Sequence, residues 1–376
     1  MQCRKFGKLS WKVSALGLGA GELPLLKPDD AIKVIRTAVD FGVNFINIGW
    51  PLALNNSGTF SGTFAKALSD GYRQKVKMAV SIPAASLNAP VDFNLRLEEV
   101  LKWLHTDNVD FLLPGVLNRF TWPRLQNLDI LNALDKALAA GKIARAGFFF
   151  HDQYQFLRDV IQAYDKWTNA RFHYSFMDID HHPGYGGIKL AADNGLAVVA
   201  AHPLMVGRIV KNIPDSVSKI WAGAEPKRSP AEWALRWVWN HPEISTVSCD
   251  MDSAAQVKEN AALADEALAD SFDVPEELVV SKAREAYFAL KPIPCTACRG
   301  CMPLQGLCPQ GIDVPRIFEI YNDAYMYHDT SFSRSNFKME NHDVDACNEC
   351  GVCVCGKKIA IPDWLKKAKV LLSDNT

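Results

Sequence analysis

From Ala15 to about Leu268, short apolar runs alternate with longer stretches in which apolar residues recur every three or four positions, the trace left by repeated strand and helix units. The runs predict strands at ALGLG near Leu16, NFIN ending at Asn47, VKMAVS ending at Ser81, VDFLL before Pro114, ARAGFF ending at Phe149, RFHYSF near Tyr174, LAVVAA before His202 and STVSC ending at Cys249. Helical patterns lie between them. In PDDAIKVIRTAVDFG, Pro28 and Asp29 open a helix and Gly42 closes it. Eight strands with helices between them over roughly 250 residues have the size and rhythm of an α/β (β/α)8 barrel. A doubly wound open sheet is the other arrangement the pattern allows, but no GxGxxG follows the first strand. Trp233, Trp237 and Trp239 fall on one helical stretch and read as packing residues rather than a cofactor box. From Asp273 to Pro294 a short helix gives way to the Pro-marked linker KPIP, which places a boundary near residue 285: a barrel over 1–285 and a small second domain over 286–376.

The second domain carries the most distinctive chemistry. Eight of the ten cysteines lie in it, as Cys295, Cys298, Cys301 and Cys308 followed by Pro309, and as Cys347, Cys350, Cys353 and Cys355. Two CxxCxxC runs, each trailed by a further cysteine that serves the opposite cluster, are the ferredoxin-type arrangement for a pair of [4Fe-4S] cubanes. Soft thiolates suit iron, so the expected ligand sets are Cys295, Cys298, Cys301 and Cys355 for one cube, and Cys347, Cys350, Cys353 and Cys308 for the other. Structural zinc is an alternative, but it needs four ligands and idles the third cysteine of each run. A disulfide framework fits poorly with a chain that has no secretory leader. Two spacings are irregular: six residues separate Cys301 from Cys308, and only Val354 separates Cys353 from Cys355. A longer loop closes at little cost, whereas a shorter one strains the reach of Cys355. Cys3 and Cys249 stand apart as ordinary thiols.

Charge and hydropathy narrow the setting. With 376 residues, a formal net charge of −1 and a pI near 6.7, the chain offers no electrostatic reason to bind nucleic acid or an acidic membrane. The N-terminus MQCRKFGKLSW lacks the apolar core of a signal peptide, and no apolar run reaches the length of a membrane span. These features predict a cytoplasmic protein.

Specific stretches then carry a resemblance. KVSALGLGAGELP from Lys12, FGVNFIN from Phe41, GYRQKV from Gly71, GKIARAGF from Gly141, YSFMD from Tyr174, DMDSAAQVKEN ending at Asn260 and CPQGIDVPRIFEIYN from Cys308 span nearly the whole chain in order. Together they resemble the aldo-keto reductase family, in the branch that carries a C-terminal ferredoxin-like [4Fe-4S] domain. The resemblance implies a site at the C-terminal mouth of the barrel, NADPH as hydride donor, and carbonyl reduction by an Asp, Tyr, Lys and His tetrad.

The four tetrad positions are not matched. The resemblance puts Asn47 where the family has Asp, Leu52 where it has Tyr, Ser81 where it has Lys and Pro114 where it has His. In the family chemistry Tyr protonates the nascent alkoxide and Lys and Asp tune it; a leucine has no proton to give. The nicotinamide side changes too, with Phe149 near a small polar position and Arg171 near a Gln position. Phe148, Phe149 and Phe150 also suit a buried strand end. Ser248, Gln256 and Asn260 keep the adenosine-side pattern of the family, so NADP(H) binding is left open.

Polar residues expected at strand ends are the catalytic candidates: His151 after the fifth strand, Arg171, His173 and Asp178 along or after the sixth, and His202 after the seventh. Cys249 and Asp250 follow the eighth, and His181 and His182 occupy the next loop after the sixth. Imidazoles serve as proton donors or as ligands to a metal or haem-like cofactor. For each histidine a purely structural hydrogen-bonding role is the competing reading. His202, just before Pro203 and Leu204, is the leading candidate, and His173 competes with a lumen-packing role.

Three functions remain. In the first, an oxidoreductase passes single electrons from a ferredoxin-like or similar donor through two [4Fe-4S] clusters to an unidentified small-molecule substrate or extra cofactor at the mouth. In the second, the chain is a non-enzymatic electron carrier or docking protein. In the third, it is an NAD(P)H-dependent carbonyl reductase with relocated catalytic groups. Loss of the tetrad ranks the third last, and fold alone does not decide.

Overall fold

The computed structural model describes residues 1–54, 60–180, 183–301 and 308–373. Eight parallel strands close into a barrel: β3 (Leu16–Gly19), β4 (Phe45–Gly49), β5 (Lys77–Pro83), β6 (Val109–Gly115), β7 (Ile143–Phe149), β8 (Trp167–His173), β9 (Ala197–Ala201) and β10 (Ile244–Asp250), with β10 bonded back to β3. The alternating pattern therefore gives a closed barrel, not the open sheet. Closure follows from right-handed crossovers, each returning through a helix to the next parallel strand. The first such helix, Pro28–Asp40, shows why these segments are helical. Pro28 stands in its first turn with Asp29 and Asp30, and Ala31, Val34, Ile35, Ala38 and Val39 form its buried stripe.

Strand β8 lies earlier than the pattern predicts. It ends at His173, and Tyr174, Ser175 and Phe176 are buried outside it. The alternation of polar and apolar residues runs on through a turn whose side chains happen to be buried, so periodicity alone overshoots. On the outer face of β7 and β8, Phe148, Phe150 and Phe172 are fully buried and meet edge to face. Strand alternation turns Phe149 the other way, into the lumen.

An N-terminal hairpin, β1 (Cys3–Phe6) with β2 (Leu9–Ser14), pairs antiparallel ahead of the barrel and was not anticipated by the strand pattern. It closes the lumen at the N-terminal end of the strands. Phe6 lies 5.0 Å from the Phe111 ring centroid, 5.9 Å from Phe45 and 5.1 Å from Trp11, in one cluster with Val13, Ala79, Ala197 and Val199. Gly7 makes the turn at φ +55°, and a Cβ there would sit 2.5 Å from the Ala197 nitrogen, so only glycine fits. Arg4 fastens the hairpin to the last repeat by donating to the carbonyls of Trp239, His241, Ile244 and Ala267.

The chain divides into two compact units, 1–206 with 231–273, and 207–230 with 274–376. In the second, helix Val274–Phe288 packs on helix Asp215–Gly223, and Arg228 pairs with Glu276 at 2.6 Å. Its core is Ile317, Phe318, Tyr321, Leu365, Ala368 and Leu372. Buried Asn322 exchanges two hydrogen bonds with the backbone of Ile293, fixing the KPIP linker to helix Val314–Met326. Among the described residues no helix is long and apolar enough to cross a membrane.

The plug makes a measurable claim. Removing a buried phenylalanine ring costs ~3–5 kcal/mol. We expect Phe6→Ala to lower the stability of the barrel unit by that amount in urea unfolding followed by tryptophan fluorescence. A loss below about 1 kcal/mol would show that the hairpin does not seal the lumen.

Candidate active site at the barrel mouth

Side chains alternate along each strand, so once Phe45, Ala79 and Phe111 are fixed against the plug, the residues two further on also face the lumen. At the C-terminal ends of the strands, where barrels of this kind keep their chemistry, this brings together Asn47, Ser81, Phe149, Arg171, His173, Ser248 and Asp250. His202 follows β9 directly. It holds a left-handed backbone, φ +55°, ahead of Pro203, and its carbonyl accepts from the Met205 N–H at 2.8 Å. A non-glycine residue in that region is uncommon and tends to mark a functional turn.

Three imidazoles form a contiguous array. His173 stacks on His202 with centroids 4.2 Å apart and planes 23° from parallel, and meets His151 edge-on at 5.3 Å. His202 Nε2 stands 3.9 Å from Asp250 Oδ2. The other carboxylate oxygen of Asp250 accepts from the Gly21 N–H at 3.1 Å. A Cβ on Gly19 would lie 2.2 Å from Asp250 Oδ1, so glycine at the end of β3 is what admits the acid. The pairing of GAG after the first barrel strand with an Asp ending the last is the signal that pattern reading passed over.

Arg171 lies below His173 on the same face of β8. Its guanidinium sits 4.5 Å from the Phe149 ring centroid, and its Nε is buried with no hydrogen-bond acceptor among the described residues. Burial pulls the guanidinium down to about 10, and the Asp250 carboxylate opposes that shift. Ser81 Oγ is buried and has no partner among the described residues. Asn47 donates to Ser248 Oγ at 3.1 Å, which ties β4 to β10 across β3.

Not every candidate joins this group. Asp178 is held in the turn after β8, its Oδ2 accepting from Ser175 Oγ at 3.4 Å. His181 and His182 lie outside the described residues. Ser248, Gln256 and Asn260 do not share one surface. Ser248 faces the lumen, Asn260 is buried with its amide 3.9 Å from Cys249 Sγ, and Gln256 is exposed in the first turn of helix Ala254–Asp265. That helix opens just past β10 with Ser253 as its cap. Cys249 is buried, and burial, reinforced by Asp250, pushes its thiol up to about 12, so it is inert. Of the positions matched to the family tetrad, Asn47 and Ser81 face the lumen, Leu52 is half-buried in the turn Pro51–Leu54, and Pro114 lies in β6.

The wall beside His151 is pinned by an ion pair. Arg119, after β6, donates from its backbone N–H and from its guanidinium to Asp152, after β7, at 2.8 and 2.9 Å. Burial pushes the Asp152 carboxyl up, but the Arg119 guanidinium and the N–H groups of Arg119 and Gln153 outweigh it and hold it below the usual carboxylate range.

None of the ten cysteines forms a disulfide, including the eight clustered in the second unit. Cys295 and Cys301 have Cys298 and Cys355 as electrostatic neighbours, and Cys353 has Cys347, Cys308 and Cys350. The latter four line one small pocket with Ile312 and Leu365. Burial raises the Cys301 thiol to about 11. The Gly300 N–H, assisted by Thr296, draws Cys298 down.

Comparison with known proteins places this geometry. The aldo/keto reductase family matches residues 15–273. An L-galactose dehydrogenase of Arabidopsis thaliana is 23% identical over 295 residues, 70% of this chain and 88% of that protein. An aldo-keto reductase of Klebsiella pneumoniae, solved in complex with NADPH, superposes with a TM-score of 0.62 at 20% identity, covering 75% of this chain and 95% of the other. The holo form of one from Bacillus halodurans gives 0.60 at 20% identity, covering 75% and 96%.

These findings correct the cofactor expected from cysteine spacing. Among the described residues no group of three or more His, Cys, Asp or Glu side chains is disposed to hold a metal ion. The similar barrels carry NADPH or NADP. Two [4Fe-4S] clusters, and electron transfer through them, are therefore not supported. Spacing along a chain does not fix where sulfurs point, and the long Cys301 to Cys308 segment and the short Cys353 to Cys355 step both depart from the regular repeat.

The Arg119 and Asp152 pair yields a signed pH dependence. Its folded pKa lies below the unfolded value of ~3.9, so its contribution is complete above that pH and disappears as pH falls through the folded value. Asp152→Asn should cost ~3–5 kcal/mol at neutral pH by leaving Arg119 unpaired. Thermal melts from neutral to acid pH should show the difference between wild type and variant shrinking below about pH 4. A constant difference across that range would remove Asp152 as its source.

Proposed function

Matched by the family over residues 15–273, the chain belongs to the aldo/keto reductases, and we propose that it is an NADP(H)-dependent oxidoreductase interconverting a carbonyl and an alcohol, with mouth histidines in the proton-transfer role. The observation that carries this reading is the stacked His173 and His202 pair beside Asp250. The relatives solved with NADPH and the similar L-galactose dehydrogenase support its redox class.

When bound, the reduced dinucleotide supplies hydride to a carbonyl carbon. The residues present fit such a group. Ser81 Oγ, without a partner among the described residues, is available to a polar group lowered into the mouth, and the first turn of helix Ala254–Asp265, whose Gln256 N–H is already taken by the Ser253 cap, presents the N–H groups of Ala254 and Ala255 to phosphate.

The carbonyl oxygen must gain a proton as its carbon gains hydride. Leu52, at the family's Tyr position, has none. His202 holds it instead: Asp250 is near enough to steady a positive imidazolium, as a carboxylate does for a catalytic histidine. His173, stacked on His202 at 4.2 Å, packs the donor in place. In the reducing direction the carbonyl becomes an alcohol, His202 gives up its proton, and water restores it. Relocation of the acid from the end of β4 to the loop after β9 also accounts for the changed residues at Asn47 and Ser81, which no longer have a tyrosine to tune.

The protein should quench NADPH fluorescence on titration and oxidise NADPH in the presence of a small aldehyde. His202→Gln should lower kcat by ~10²- to 10⁴-fold, the usual value of a positioned general acid. Absence of both quenching and oxidation in the wild type would sink the reading. Turnover undiminished in His202→Gln would assign the proton to another group.

A further inference from the structure

Proton transfer at the mouth leaves the Arg171 guanidinium unused. It is a cation inside the lumen with a buried Nε that has no acceptor among the described residues. A buried charge without hydrogen-bond partners is expensive and is retained where a ligand completes it. The nearest acid does not do so. Asp250 commits one oxygen to the Gly21 N–H and turns the other towards His202, and its effect on Arg171 is a through-space attraction. The Phe149 ring covers the guanidinium at 4.5 Å and keeps water from that face. Ser81 and the imidazoles add no negative charge, so the Arg171 guanidinium has no hydrogen-bonded counter-ion among the described residues.

We infer that Arg171 seats the carboxylate of an anionic carbonyl substrate. This rests on the carbonyl reading above and narrows it to oxo acids and carboxylated aldehydes. A planar, forked guanidinium matches a carboxylate bidentately. Arg171 and His173 are two residues apart on one face of β8, a rise of about 7 Å, so a molecule anchored by its acid extends towards His173 and the His202 imidazole stacked on it. An anion at Arg171 has a second source, a phosphate group, and the test separates the two.

The experiment pairs 4-carboxybenzaldehyde with its neutral methyl ester, methyl 4-formylbenzoate, as substrates with NADPH. The wild type should favour the carboxylate by about 10- to 100-fold in kcat/KM, the worth of a charge-assisted pair. Arg171→Gln should collapse that ratio towards one, and Arg171→Lys, which keeps the charge and loses the fork, should retain part of it. Calorimetry without NADPH supplies a readout free of turnover: benzoate should bind the wild type at least 10-fold tighter than benzamide and than it binds Arg171→Gln. If benzoate binding needs Arg171 while no aldehyde is reduced, the anion site stands and the carbonyl reading falls. A wild-type preference for the ester, or equal benzoate affinity in wild type and Arg171→Gln, overturns the inference. Arg171-dependent binding of inorganic phosphate tighter than that of benzoate overturns the carboxylate assignment.

Discussion

Closing eight parallel strands on themselves creates an interior that side chains must fill, and in this chain the filling is sealed from one end. Phe6, brought in by the hairpin β1 and β2, packs on Phe45 and Phe111 and fixes which residues of each strand face inward. Because the side-chain period is two, that choice propagates: Asn47, Ser81, Arg171 and Ser248 have to follow into the lumen. The polar floor of the mouth is thus a consequence of the apolar plug beneath it. A slip of one residue in β8 would exchange Arg171 for Phe172 and lose both the core contact and the cation.

The same constraint lets residues at the mouth vary without a change of fold. The barrel tolerates new side chains at strand ends because those ends are held by backbone ladders rather than by the side chains themselves. Leucine at position 52, half-buried in the turn Pro51–Leu54, carries no ionisable group. On the other side the left-handed turn at His202 and the glycine at position 19 let an imidazole from the turn after β9 and a carboxylate from the end of β10 approach each other.

The second unit follows different rules. Its core is a set of helices tied together by Asn322 and the Arg316, Glu340 and Glu319 ion pairs, with thiol-bearing loops laid on them. Burial, reinforced by neighbouring thiols, raises Cys295, Cys301 and Cys353, whereas the Gly300 N–H lowers Cys298. Cysteine spacing there is regular enough to suggest a shared ligand, yet the disposition of the side chains is a property of the loops and not of the spacing.

Apolar periodicity in this chain determined the eight barrel strands, the helices between them and the placement of His151, His173 and His202 at strand ends, because burial on a strand or helix face acts locally and leaves a repeat of two or 3.6. The same local signal overshot β8, where Tyr174 and Phe176 are buried in a turn, and missed the hairpin, whose alternation is short. Only the tertiary structure decided that His173 and His202 stack, that Asp250 reaches His202 through space opened by Gly19, and that Arg171 is left with an unsatisfied Nε. Those facts join residues up to 231 positions apart, Gly19 to Asp250, across a closed barrel. Distance through space depends on closure and register, which no window of neighbouring residues records.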